Sequence, residues 1–235
     1  MREKSFAFYS DAGGRANNED FYLAKQIGEA YLFVVADGLG GHEAGEEASK
    51  IAVETIREYM IDSKEKNLEE AIRLANLAVL SKGKETSCRM KTTVAAAFVE
   101  KDCTTIAHVG DTRVYAFNNF STVFRTKDHS ASQLAVSVGE ISEAEIRNHA
   151  DRNILLRALG ASEKLKVDTV KLDNKSIDSL LLCSDGFWEY VLDEEMIQMQ
   201  SGADSADGWL YKMRRAQLGR APDNCDNNTA VAVLI

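Results

Sequence analysis

Three apolar stretches in this chain each run into a carboxylate beside a glycine. Tyr31-Leu32-Phe33-Val34-Val35-Ala36 leads into Asp37-Gly38, Leu180-Leu181-Leu182-Cys183-Ser184 into Asp185-Gly186, and Thr105-Ile106-Ala107-His108-Val109 into Gly110-Asp111. Short apolar runs bounded by turn residues read as strands buried in a core. An acid at the end of such a strand stands at a sheet edge, and the adjacent glycine lets backbone approach a ligand closely. Asp-Gly is also ordinary turn chemistry, so one such stretch marks no more than a turn. Three of them, with Glu19-Asp20 and Asp226-Asn227 besides, point to a cluster. Carboxylates converging on one edge repel each other and stay ionised only when cations lie between them. Hard oxygen donors without a Cys or His cluster favour Mg²⁺ or Mn²⁺ over Zn²⁺.

The pattern around these stretches predicts the fold class. Strands are expected at 5–10, 21–27 and 31–36, followed by two helices. The first spans 43–60, with Ala44, Ala48, Ile51, Ala52, Ile56, Tyr59 and Met60 at helical spacing. The second starts at the N-cap Asn67, with Glu70 three residues on. Strands return at 92–99, 104–109 and 113–117, and again at 165–171 and 179–183. Ser142 and Glu145 mark a further helix start, a helical stretch covers 193–217, and 229–235 closes the chain as a strand. Strands in blocks, interrupted by a helix pair, predict an α+β fold. In it, two antiparallel β-sheets pack as a sandwich, flanked on the outer faces by α-helices.

With 235 residues, no repeat and a single proline, Pro222, one domain over 1–235 is expected. A chain of that length buries about 70–75% of its unfolded surface, enough for a full core without staples. The net charge of −9 disfavours nucleic acid and anionic membrane as partners. No run approaches the ~20 apolar residues of a membrane helix, and residues 1–5 lack the apolar region of a signal peptide. Cys88, Cys103, Cys183 and Cys225 form no metal-binding pair, which suits the reduced thiols of a cytoplasmic protein.

Seven segments, in order, resemble the motifs of the metal-dependent (PPM, type 2C) Ser/Thr protein phosphatases, in their bacterial form. They are Arg15-Ala16-Asn17-Asn18-Glu19-Asp20, Asp37-Gly38-Leu39-Gly40-Gly41-His42, Thr92-Thr93 and Gly110-Asp111-Thr112-Arg113, then Asp128-His129-Ser130, Ser184-Asp185-Gly186 and Asp226-Asn227-Asn228-Thr229. The resemblance implies residue roles. Asp37 is similar to the aspartate that bridges two metals, with the Gly38 carbonyl as a further ligand. Asp185 and Asp226 look like the other ligands of the second metal. Glu19 and Asp20 resemble the acidic pair that binds metal waters or orients the site, and Asp111, with Asp185, a third, weaker metal site. Arg15 resembles the phosphate-binding arginine, whose fork suits two phosphoryl oxygens. Residues 128–159 resemble the family's flap, with His129 and Ser142 expected as scaffolding and Trp188 as core.

The implied activity is hydrolysis of phosphoserine and phosphothreonine in proteins, the substrates of a Ser/Thr kinase. Two Mn²⁺ or Mg²⁺ ions roughly 3.5–4 Å apart supply the attacking hydroxide. No phosphoenzyme is implied, and no cysteine has arginine six positions later, as a cysteine-nucleophile phosphatase requires. Leu39 stands where some members have a histidine after Asp-Gly, and His42 is not assigned as general acid. Two other readings stand beside this one. A pseudophosphatase binding module is expected to lack a metal aspartate, yet Asp37, Asp185 and Asp226 are all present. A hydrolase of small phosphate esters shares the same metal chemistry.

Overall fold

A computed structural model describes residues 5–39, 43–118 and 121–235. One antiparallel sheet has the order β1-β11-β10-β7-β8, from strands Ser5–Asp11 (β1), Arg113–Asn118 (β7), Ser121–Arg125 (β8), Ser179–Cys183 (β10) and Asn228–Leu234 (β11). The other has the order β2-β3-β5-β6-β9. It is built from Asp20–Ile27 (β2), Ala30–Leu39 (β3), Val94–Val99 (β5), Cys103–Val109 (β6) and Asp168–Asp173 (β9), and the two-residue β4 (Lys91–Thr92) pairs with the end of β3. Helices α1 (Glu43–Asp62) and α2 (Leu68–Thr86) cover the second sheet. Helix α3 (Ala131–Ser137) follows β8, and α4 (Asp185–Trp188), α5 (Asp193–Ser201) and α6 (Ala206–Leu218) lie between β10 and β11. The expected α+β sandwich is present.

Period-two alternation sorts each strand between two cores. Phe33 and Val35 of β3 meet Leu180 and Leu182 of β10 and Val231 of β11 between the sheets. Leu32, Val34 and Ala36 face the other way, onto Ala48, Ala52 and Ile56 of α1 and Ile72 and Ala75 of α2. Leu181 and Cys183 face outward under Phe187, Trp188, Trp209 and Met213. Central strands are therefore apolar throughout, because both faces are covered.

Several boundaries depart from the sequence reading. The helical stretch expected over 193–217 is two helices, because Ser205 caps α6 by accepting from Gly208 N. Strand β3 does not stop before Asp37 but runs on through Gly38 to Leu39. Strand β9 starts at Asp168 rather than 165, and the partly exposed edge strand β8 had no distinct apolar signature. The Ser142 start leads into a 3₁₀ turn, Glu143–Asn148, and Glu145 Oε2 accepts from Ser142 N at 2.7 Å. Asn67 caps α2 as expected, its side chain accepting from Glu70 N. His42 lies outside the described residues.

A buried ion pair ties the 128–159 segment to the sheet edge. Arg113, the first residue of β7, donates to Asp128 from Nε at 2.9 Å and from Nη2 at 2.6 Å. Its guanidinium lies 3.5 Å from the centre of the Trp188 ring, and Trp188 Nε1 donates to the Asp111 carbonyl at 3.0 Å. Both charges are almost wholly buried, so removing one leaves the other unpaired away from water. Asp128→Ala is expected to cost about 3–5 kcal/mol in urea denaturation. A loss below about 1 kcal/mol would show that the pair does not anchor this corner.

Candidate metal centre

The acids gather where the ends of the two sheets meet. Asp20 and Asp37 are direct cross-strand partners in the β2–β3 register, a placement that costs stability for like charges. The Asp37 backbone is held on the other side by threonines. Its N–H donates to Thr93 Oγ1 at 3.0 Å, and its carbonyl accepts from Thr93 N and Thr92 Oγ1, each at 2.8 Å. Thr93 Oγ1 lies 2.5 Å from Thr112 Oγ1, joining the threonines beside Asp37 and Asp111. Gly38 donates to the Glu19 carbonyl, and a Cβ at Gly38 would stand 2.1 Å from the Gly45 carbonyl oxygen. Only glycine permits that approach of strand end and helix start.

Asp185 opens α4 straight after β10 instead of sitting in a turn. Ser184 before it links three segments: its Oγ donates to Asp20 Oδ2 at 2.7 Å and accepts from Thr229 N at 2.9 Å. Asn227 organises the opposite side. Its Oδ1 accepts from Glu19 N, and its Nδ2 donates to the carbonyls of Ala12 and Asn17. The Arg15 loop is thereby pressed onto the chain before β11, and Cβ atoms at Gly13 and Gly14 would meet carbonyl oxygens of Asp226 and Asp223 at 2.3 and 2.2 Å.

These contacts frame a cleft of about 460 Å³. Of the sequence-predicted residues, Arg15, Glu19, Asp37, Gly38, Asp111, Asp185 and Asp226 line it. Asp20 does not; it is buried against Ser184. Arg15 reaches across the rim, its Nη2 donating to Asp226 Oδ2 at 2.9 Å, with both side chains about half exposed. Asn153 and Leu155, from the 128–159 segment, also line the cleft. The sequence reading gave no role to these two, nor to Ser184 or Asn227; for the last two, a polar residue beside each predicted ligand was the available signal.

Burial first, and then the neighbouring acids, raise the carboxyl pKa values. Asp37 is pushed well up by burial and by Asp20, Asp185, Asp111 and Asp226. Asp185 is pushed well up by burial and by Asp111, Glu189 and Asp226. Burial and Asp128 lift Asp111 to about 7. Burial also lifts Asp20 to about 7, against the hydrogen bond from Ser184. Asp185 Oδ1 and Asp20 Oδ1 are buried and accept no hydrogen bond from the described residues. No three carboxylate, imidazole or thiolate groups among the described residues close round an ion unaided; the acids ring the cleft instead. Mutually repelling carboxylates, an orphaned buried oxygen on Asp185 and a lining without sulfur or imidazole among the described residues fit a hard divalent cation.

This fold has solved counterparts. Stp1, a serine/threonine phosphatase of Staphylococcus aureus, superposes with a TM-score of 0.89 at 28% identity, covering 98% of this chain and 94% of that one. The PstP catalytic domain, solved with two manganese ions, gives 0.82 at 27% identity, covering 98% and 97%. In sequence, the serine/threonine phosphatase stp of Listeria welshimeri is 36% identical over 216 residues, 86% of this chain and 82% of that protein. PstP of Mycobacterium tuberculosis is 32% identical over 226 residues, 93% of this chain and 43% of that protein. Residues 10–216 match the family described as protein phosphatase 2C. The chain belongs to that family and is a protein-serine/threonine phosphatase.

A carboxyl with a raised pKa holds its proton more tightly in the native state than in the unfolded chain. The contribution of these carboxyls to metal-free stability is therefore greatest below the ordinary carboxylate value of ~4 and is lost as pH rises towards about 7. In EDTA, Asp37→Asn is expected to melt at or above wild type at pH 7.5 and to lose less stability between pH 5 and 7.5. A variant markedly less stable than wild type across this range would contradict the repulsion.

Proposed function

We propose that the cleft hydrolyses phosphoserine and phosphothreonine in proteins with Mn²⁺ or Mg²⁺, directly and without a phosphoenzyme. The observation that carries this reading is the convergence of Asp37, Asp111, Asp185 and Asp226 on one cleft with Arg15 at its rim. Asp37 and the Gly38 carbonyl would hold the first ion, Asp37, Asp185 and Asp226 the second, and Asp111 with Asp185 a third, weaker one. Divalent ions held by these residues would supply a water of lowered pKa as the nucleophile for phosphorus.

The remaining steps belong to the chain's own side chains. Arg15 is exposed enough to turn from Asp226 to a phosphoryl group, and its planar fork can donate to two oxygens. It would orient the ester and balance charge on the equatorial oxygens as the leaving alcohol departs. Glu19 lines the cleft and can accept from water there, while Asp20 acts from beneath by holding Ser184. Asn153 and Leu155 bring the 128–159 segment into the lining of the cleft, which supports reading it as a flap. No cysteine among the described residues lines the cleft, in keeping with direct attack by water.

The substrates are then phosphoproteins made by a Ser/Thr kinase, and residues 1–235 act as one catalytic domain. A cytoplasmic setting suits the four free cysteines. No helix among the described residues is long and apolar enough to cross a membrane.

EDTA is expected to abolish turnover and added Mn²⁺ to restore it, while Asp185→Asn stays inactive at saturating Mn²⁺ with its fold intact by circular dichroism. Wild-type turnover in the metal-free protein or in that variant would refute the ligand assignment. Arg15→Ala is expected to raise KM and lower kcat/KM about ten- to a hundredfold, roughly 1.5–3 kcal/mol, with Mn²⁺ affinity little changed by calorimetry. Arg15→Lys should recover only part of this, since an ammonium lacks the fork. Lost metal binding with unchanged KM would instead make Arg15 a neutralising partner of the acids.

A further inference from the structure

A second pocket, also of about 460 Å³, lies beside the cleft across the end of β3. Its polar lining is basic: Lys84, Arg89 and Lys91, with Ser87 and Cys88. Val79, Leu80, Met90 and Ala161 add an apolar floor, and no acidic side chain among the described residues lines it. On a chain of net charge −9, that is a local reversal of sign. Arg89 and Lys91 are exposed and have no carboxylate within ion-pairing distance among the described residues, while Lys84 has a solvent-exposed pair with Glu163. The pocket adjoins the end of α2, whose negative pole would oppose an anion. Two of those carbonyls are already engaged, because Cys88 N donates to Gly83 O and Ser87 N, in a left-handed conformation, donates to Lys84 O.

The position ties this pocket to the cleft. Lys91 is the cross-strand partner of Leu39, two residues beyond Asp37 on β3, and Leu39 itself lines the cleft. Thr92, next to Lys91, pairs through its backbone with Leu159 at the end of the 128–159 segment. One cross-strand step and two residues along a strand put Lys91 on the order of 8 Å from Asp37, which extended peptide covers in about three residues.

We propose that this pocket is a docking subsite for the phosphoprotein substrate, taking acidic residues about three to five positions from the phosphorylated serine or threonine. The proposal rests on the phosphatase reading of the cleft and adds the substrate class it selects. Arg89 and Lys91 attract the acidic segment, and the apolar floor receives its aliphatic stems. Exposed charges of this kind act mainly on encounter and KM, and salt screens them.

Steady-state kinetics on three substrates test it: a phosphothreonine peptide with Asp or Glu at those positions, the same peptide with Gln there, and p-nitrophenyl phosphate, which is too short to reach the pocket. At low salt, wild type is expected to favour the acidic peptide about tenfold in kcat/KM, and the preference should shrink at 0.5 M NaCl. Arg89→Glu and Lys91→Glu should each raise KM for the acidic peptide about fivefold or more, leaving the Gln peptide and the small ester at wild-type rates. No acidic preference in wild type, or a preference that survives both substitutions, overturns the subsite while leaving the phosphatase reading intact. Equal losses on all three substrates overturn it too, as they assign the change to the cleft. Failure to hydrolyse either peptide with Mn²⁺ present overturns the phosphatase reading and the subsite together.

Discussion

Repulsion among buried carboxylates is the constraint around which the rest of this molecule is arranged. Asp37 and Asp185 each feel Asp20, Asp111 and Asp226 in surroundings with little water, and their carboxyl pKa values rise accordingly. Such a cluster costs folding free energy unless something positive enters it. Its cost must be offset by rigid elements, because a flexible edge would let the acids drift apart. The apolar strands supply that rigidity, since β3 and β10 are buried on both faces and a shift by one residue would send each set of core side chains into the opposite, differently packed core.

The polar residues between the strand ends complete the frame. Thr92 and Thr93 fix the Asp37 backbone, Ser184 joins Asp20 to the start of β11, and Asn227 pins the Arg15 loop. Asp111 is held more indirectly, through Trp188 and the buried Arg113–Asp128 pair. That pair joins Asp128, the first residue of the flap-like segment, to the same corner. The 128–159 segment and Asp111 thus share one structural support.

Most of the site could be read from the chain because its acids lie at the ends of long apolar runs, and those runs survive as strands. What could not be read follows from tertiary pairing. Asp37 looked like the residue after a strand, but pairing with Asp20 and β4 carries β3 on to Leu39. Asp20 looked equivalent to Glu19, yet its position opposite Asp37 turns it beneath the cleft, while Glu19 stays in the lining. The sequence Asp185-Gly186-Phe187-Trp188 carries turn signals, but Phe187 and Trp188 gain more by burying into the outer core as a helical turn. The basic pocket was invisible for a similar reason: Lys84, Arg89 and Lys91 straddle the end of α2, and only the chain reversal at Ser87 brings them together.

On the proposed reading the cleft recognises only the phosphoryl group, so discrimination between substrates has to come from surfaces beyond it. All of this rests on cations relieving the carboxylate repulsion at one place. Anomalous diffraction at the manganese edge, from crystals grown with Mn²⁺, tests that most directly. The account predicts peaks inside the cleft with Asp37 shared between two ions and Asp185 and Asp226 on one of them, Arg15 having moved off Asp226. Manganese bound elsewhere, or a cleft without it at saturating concentration, would contradict the account.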